Sequence, residues 1–374
     1  MLINAHITGW GMAVPERVLT NEDIAEIVDT DDEWIRTRTG VHERRIASPE
    51  ESTASLATEA ALQALEIAGL KPAEINLIIV ATSSPEHTFP ATASIVQDNI
   101  GAVKSGAFDL SAACTGFILA LNMAAQSIRT GSIENALVIG AETLSRLTNW
   151  EDRNTCVLFG DGAGAFVLQA GEDSGGVLSA VMRSDGSGSD LLELPAGGSK
   201  LPASEETVRS GLHYIRMNGR EVFRFATRVI ASATREAVEL AGLQLDDINL
   251  IIPHQANQRI IETAARGLKM SLNRFVINLD RYGNTSTASI PIAAVEAFQD
   301  GRLNPGDHIV FVGFGAGLTW GAVVAQWTGP LLVPEPFKPA WPYRFQTLYR
   351  IYVRIRSAFL RIVRQVEGWI WGGK

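Results

Sequence analysis

The feature that most constrains this fold is an internal repeat. Residues 66–80, EIAGLKPAEINLIIV, align with residues 239–253, ELAGLQLDDINLIIP, and nine of the fifteen positions are identical. The same offset (239 − 66 = 173) places Leu137-Val138-Ile139-Gly140 on Val310-Phe311-Val312-Gly313. Between these blocks an offset of 170 places Cys114-Thr115 on Asn284-Thr285, Gly131 on Gly301 and Ile133 on Leu303. Three matches in one order, with a single three-residue shift, argue for duplication. The period is far longer than the roughly 20–50 residues of a solenoid repeat, so the chain reads as two similar halves. Ser52–Ala68 is an amphipathic helix closed by Gly69, and Ile75–Ala81 is a continuous apolar run, as a strand buried on both faces requires. Helices and strands keep alternating, which predicts an α/β fold. The Gly/Ser/Asp-rich stretch around residues 171–188 marks the boundary, giving halves at 1–172 and 173–330 and a separate segment at 331–374. The loop at 195–209 reads as an exposed insertion.

Within the first half, FDLSAACTGFILALNMAAQSIRT (108–130) runs from a short strand through small residues to Cys114 and then into a long helical pattern. A cysteine at such a junction sits near the positive end of a helix, which favours the thiolate, and beside backbone N–H groups able to hold an oxyanion. The same cysteine also suits a small buried hydrophobe. The repeat, which sets Asn284 in the place of Cys114, brings a second polar elbow to the crevice between the halves. The third piece is Pro253-His254-Gln255-Ala256-Asn257, directly after the strand 248–252, where strand ends in α/β folds carry function. Thiol, imidazole and carboxamide at three loop ends suit a nucleophile with two donors for a carbonyl oxygen that gains negative charge. No metal-ligand cluster or phosphate loop competes. Gly160-Asp161-Gly162-Ala163-Gly164 precedes a strand and not a helix, so it reads as a tight turn. Asp31-Asp32-Glu33-Trp34, with the Arg/Thr run after it, reads by pattern as a solvated turn around one large aromatic.

Composition narrows the partners. Two cysteines and an uncharged N-terminus predict neither a disulfide framework nor a signal peptide, and hence a reducing, cytoplasmic setting. From Trp341 onward there are seven Lys/Arg and one Glu, or +6, which leaves −9 − 6 = −15 for residues 1–340. An acidic body argues against nucleic acid as the main partner.

Taken together, DEWIRTRTG (32–40), AACTGF (112–117), FGDGAGA (159–165), PHQAN (253–257), LDRYGNTS (279–286) and GFGAGLTWG (313–321) resemble β-ketoacyl-acyl-carrier-protein synthase III, of the thiolase superfamily, over residues 1 to about 328. The resemblance implies a five-layer αβαβα fold, a homodimer, no cofactor and initiation of fatty-acid synthesis from an acyl-CoA and malonyl-acyl-carrier protein. It assigns Cys114 as the acylated nucleophile, His254 and Asn284 as donors in malonyl decarboxylation, and the N–H groups of Cys114 and Ala316 as an oxyanion hole. Alanine stands where relatives commonly have a triple glycine, which a main-chain donor tolerates if φ is negative. Residue by residue it further implies that Trp34 and Arg153 sandwich the CoA adenine and that Arg38 meets its phosphates. Asn257 would lie at the pantetheine end, and Phe89 would close the acyl pocket of a dimer mate. Arg224, Arg259 and Arg266 would receive the acidic carrier protein. A ketosynthase or acyltransferase of the same group that primes a secondary metabolite is the alternative.

The resemblance stops near Trp327. Leu332–Pro342 is Pro-rich, an extended linker by composition. Tyr343–Trp371 is helical by pattern, with Phe345, Leu348, Tyr352, Ile355, Phe359, Ile362, Val366 and Trp369 in steps of three and four, and Arg350, Arg354, Arg361 and Arg364 opposite. A wide apolar face with arginines and terminal tryptophans suits a helix lying on an anionic membrane. It suits equally a helix packed on its own enzyme or a dimer mate.

Overall fold

The computed structural model describes residues 3–329 and 343–371. The elements used below are, in chain order, β1 (Asn4–Ala13), α1 (Asp32–Thr39), α2 (Thr53–Ala68), β2 (Leu77–Ala81), α3 (Thr92–Ile100), β3 (Gly106–Leu110), α4 (Gly116–Arg129), β4 (Asn135–Thr143), β5 (Asp161–Gly171), β6 (Gly176–Ser184), α5 (Gly219–Leu240), β7 (Ile248–Pro253), α6 (Gln258–Leu268), α7 (Ser289–Gln299), β8 (His308–Gly315), β9 (Thr319–Gln326) and α8 (Tyr343–Trp371). The first sheet has the order β1-β5-β4-β2-β3 and the second β7-β8-β9-β6. In the first, β2 is parallel to β3 and β4 while β5 runs against β4 and β1. In the second, β7 is parallel to β8 while β9 runs against β8 and β6. A bridge from Ile251 to Phe275 stands where a counterpart of β3 would pair. The two sheets are therefore one topology used twice.

Strand residues alternate between two cores, as the pleat requires. Ile79, Val138 and Phe166 face a central layer with Phe117, Leu121, Ile290 and Phe298 from α4 and α7. Their neighbours Ile78, Val80, Leu137 and Ile139 face α2 and α3 on the outside. On the far side, Ile251, Val310 and Val312 pack against α5 and α6. The result is the five-layer αβαβα arrangement that the resemblance implied. Glycines let the halves close: a Cβ at Gly140 would stand 2.2 Å from Thr287 O, and one at Gly160 would stand 2.2 Å from Tyr282 O.

The backbone corrects the internal alignment. Ala113 (φ 46°) and Ser286 (φ 47°) are the left-handed residues of two matching elbows, each opening a 3-10 turn, Ala113–Thr115 and Ser286–Ala288. Their offset, 286 − 113, is 173, so Thr287 and not Asn284 occupies the place of Cys114. The three-residue shift arises later because α4 has 14 residues and α7 has 11. A gap placed by residue identity slid past the elbow, where no side chain is shared. The 32–39 segment is also no turn. It forms α1, capped by Asp31, which accepts from Trp34 N, and ended by Gly40 at φ 86°. The linker 332–342 lies outside the described residues. Helix α8 spans the predicted range and leans on α3 through Val353 and Ser357, whose hydroxyl donates to Asp98.

Candidate active site

Cys114 follows the left-handed Ala113 at the end of β3, and only 7% of it is exposed. The end of β8 is pressed against it, since a Cβ at Gly315 would lie 2.8 Å from Cys114 N. That brings the next residue, Ala316, into the cavity beside the thiol, and Ala316 is absent from the few non-glycine residues with positive φ. Burial pushes the Cys114 thiol up to about 12, while a hydrogen bond with Ser286 acts the other way. Desolvation thus works against the thiolate that the helix end favours. Desolvating a buried charge costs more than the end of one helix returns.

His254 is held by its own N–H to Val312 O (2.8 Å), one residue beyond β7. Its ring is buried, meets Phe314 edge-on, and places Nδ1 2.6 Å from Ser289 Oγ at the start of α7. Ser289 Oγ also accepts from Gln255 N (3.3 Å); with the Ser289 proton assigned to Nδ1, the neutral ring presents Nε2–H to the cavity. Desolvation lowers the imidazole to about 3, so it stays neutral at working pH.

Asn284 is tied to the other half by its backbone, with its N–H on Leu158 O (2.8 Å) and Gly160 N–H on its carbonyl (3.1 Å). Its Oδ1 accepts from Ser286 N (2.8 Å), which leaves the NH2 as the end available to the cavity. The three residues line one cavity of about 190 Å³, together with Ala316, Phe314 and Asn257. Most of its wall is apolar, with Leu192, Leu194, Ile215 and Met217 supplied by the segment around the short strands Leu192–Glu193 and Arg216–Met217. These residues flank the loop at 195–209, which is exposed along most of its length and lines neither the cavity nor its mouth.

At its outer end, through Leu158, Met217, Phe223 and Asn257, the cavity joins a second depression lined by Trp34, Arg38, Arg220, Arg224 and Arg259. Asn257 caps α6 and donates to Arg38 O (2.9 Å), joining the two regions. Arg153 lies directly over the Trp34 ring at 4.3 Å and Arg38 at 4.7 Å. No slot stands open between Trp34 and Arg153, so a base must part them to stack. Arg224 pairs with Glu221 (2.9 Å), Arg259 lies over Phe223, and Arg266 sits further along α6, outside both depressions. Phe89 is 85% exposed and does not line its own chain's cavity.

Two residues that the sequence did not single out organise the site. Arg220 adds to the basic mouth, and the sequence offers no signal for it beyond charge. Glu142, fully buried at the end of β4, accepts from Ser83 N (3.0 Å), Ser84 N (3.0 Å) and Ser84 Oγ (2.6 Å) and lies 3.1 Å from Thr287 Oγ1. It thereby joins the loop beside Cys114 to the elbow that bears Ser286. A lone glutamate in an apolar strand was the available signal. Among the described residues, no group of three or more His, Cys, Asp or Glu side chains could hold a metal ion.

Two family models match: 3-oxoacyl-[acyl-carrier-protein] synthase III over residues 108–186, and the C-terminal part of that family over residues 238–327. The β-ketoacyl-[acyl-carrier-protein] synthase III of Symbiobacterium thermophilum is 57% identical over 321 residues, covering 86% of this chain and 97% of that protein. This chain belongs to the β-ketoacyl-[acyl-carrier-protein] synthase III family. The synthase III of Roseiflexus sp. (strain RS-1) is 52% identical over 87% of this chain and 98% of its own length. Among solved structures, the Aquifex aeolicus synthase III superposes with a TM-score of 0.80 at 47% identity, covering 86% of this chain and all of its own. The priming β-ketosynthase of the R1128 polyketide pathway has a TM-score of 0.82 at 34% identity, covering 87% and 97%. The fold is the thiolase fold of this family, and the matched C-terminal region ends at residue 327, before α8 begins.

Proposed function

We propose that this enzyme starts fatty-acid synthesis by condensing an acyl-CoA primer with malonyl-acyl-carrier protein. The observation that carries it is the meeting of a thiol, a neutral imidazole and a carboxamide in one apolar cavity that opens on a basic mouth. Cys114 Sγ attacks the primer thioester; the new S–C bond replaces the bond to CoA, and the thiol proton leaves with CoA. The N–H groups of Cys114 and Ala316 hold the tetrahedral oxyanion. His254 Nε2–H and the Asn284 NH2 then stabilise the enolate as malonyl thioester loses CO2, and the carbanion displaces Cys114 from the acyl group as a thiolate, which takes a proton from solvent to restore the thiol. Neither donor ionises in this range, so both stay in place throughout. The chemistry uses these side chains and the two main-chain N–H groups, and no cofactor.

Trp34, Arg38, Arg153 and Asn257 receive CoA along the outer depression. Arg224 and Arg259 at the mouth, with Arg266 beyond, attract the acidic carrier protein towards an otherwise acidic body. The exposed Phe89 fits the role of closing the acyl pocket of a second copy in a homodimer. A role in priming a secondary metabolite is the less favoured reading, because identity to synthases III reaches 57% against 34% for the polyketide priming enzyme. The setting is cytoplasmic, with lipid contact through 343–371 developed below. A panel of acyl-CoA thioesters, with mass detection of the Cys114 peptide and of the β-ketoacyl-carrier protein, tests the reading and identifies the primer. Product formed without acylation of Cys114 overturns it.

A further inference from the structure

Helix α8 turns the wrong way for a helix whose purpose is to pack on its own body. Leu348, Ile351, Ile355, Phe359, Ile362 and Val366 are between 47% and 64% exposed. The face that meets α3 is the opposite one, with Val353 at 3% and Ser357 at 7% exposure. At ~100° per residue the six exposed side chains fall within one sector about 80° wide and some 27 Å long. The charges are as one-sided as the apolar groups. Six arginines and one acidic residue, Glu367, lie within α8. By the same helical geometry, Arg354 and Arg356 flank the stripe on its two sides, and Arg354, Arg361 and Arg364 are exposed.

We propose that this stripe docks the enzyme in the plane of an anionic lipid surface. Six large apolar side chains enter the boundary between headgroups and acyl chains, and the flanking guanidinium groups meet lipid phosphates at headgroup depth. Pairing with α8 of a second copy is disfavoured, since each helix brings six arginines against a single carboxylate, Glu367, and the two copies repel. No helix among the described residues is long and apolar enough to cross a membrane, so the contact is peripheral. The body, at −15 by the count above, is repelled by an anionic surface and leaves attachment to this helix. The inference refines the lipid contact in the proposed function and is independent of the chemistry at Cys114.

The test compares the full chain with its I355E/F359E variant, both changes being at exposed positions that leave the fold and the cavity untouched. Sedimentation with phosphatidylglycerol/phosphatidylcholine vesicles and with pure phosphatidylcholine vesicles is run at low and high salt. Condensing activity without lipid and mass by light scattering are measured in parallel. The parent is expected to bind anionic vesicles, to bind neutral ones at least ~10-fold less, and to lose binding as salt rises. The double variant should lose anionic binding at least ~10-fold with condensation unchanged. A second variant, R354Q/R356Q, should lose the preference for anionic vesicles while keeping the stripe. Absent binding by the parent, or equal binding by I355E/F359E, overturns the proposal. So does a lipid-free assembly of the parent that the double variant breaks down, because the stripe is then covered by protein. If lipid binding follows these expectations but no protein condenses the substrates, the enzymatic reading fails and the docking stands.

Discussion

Asn284→Asp separates the two ends of one side chain. In the parent, Oδ1 accepts from Ser286 N (2.8 Å) at an elbow with φ 47°, and the NH2 is left for the reacting carbonyl. Alanine would remove both, and the orphaned Ser286 N–H alone would cost about 1–3 kcal/mol. Aspartate keeps the acceptor and deletes only the donor. Removing one preorganised oxyanion donor costs about 10²–10³ in rate, or about 2.7–4 kcal/mol, and a carboxylate facing the growing enolate adds to the loss. Malonyl decarboxylation and condensation should therefore fall at least about 10²-fold, with transfer of the primer to Cys114 within about tenfold of the parent. The assay follows CO2 release from malonyl-carrier protein and, separately, the mass of the acylated Cys114 peptide. If the folded variant decarboxylates within tenfold of the parent, the amide is not a donor to the enolate.

Cys114→Ala should abolish condensation and leave no acylated peptide on mass analysis. With the thiol at about 12, alkylation of Cys114 by iodoacetamide should rise about tenfold per pH unit from 7 to 10, and a plateau near 8 would refute a buried neutral thiol. His254, held to about 3, should put no inflection between pH 5 and 8 into the decarboxylation profile. Its stability effect has a defined sign: the unfolded imidazole binds a proton below its ordinary 6.5 and the folded one does not. Stability is full above about 6.5 and falls by about 1.4 kcal/mol per unit towards 3, measurable by urea unfolding against His254→Asn. Gly140→Ala would set a Cβ 2.2 Å from Thr287 O, a backbone atom with little freedom to yield. A loss of about 1–3 kcal/mol or more is expected in thermal unfolding, and an unchanged Tm would refute the close approach.

The sequence by itself determined the duplication, the α/β alternation, the three residues that share the cavity and the span of α8. Each is written in local order: a repeated strand motif, the residue after a strand, a three-and-four periodicity. What surrounds those residues could not be read there. Glu142 and Thr287 are 145 positions apart, and neither predicts the other until two sheets close on the layer between them. The same closure puts Ser289 on His254 and strips water from Cys114, so that desolvation outweighs the helix end that local order suggested. The true register of the elbows lies in two backbone dihedrals, at Ala113 and Ser286, whose side chains differ. For α8 the pattern names an apolar stripe, but which side meets the body depends on what α3 offers, and α3 offers Asp98 to Ser357. Periodicity is a property of one segment; burial, and every charge state that follows from it, belongs to at least two.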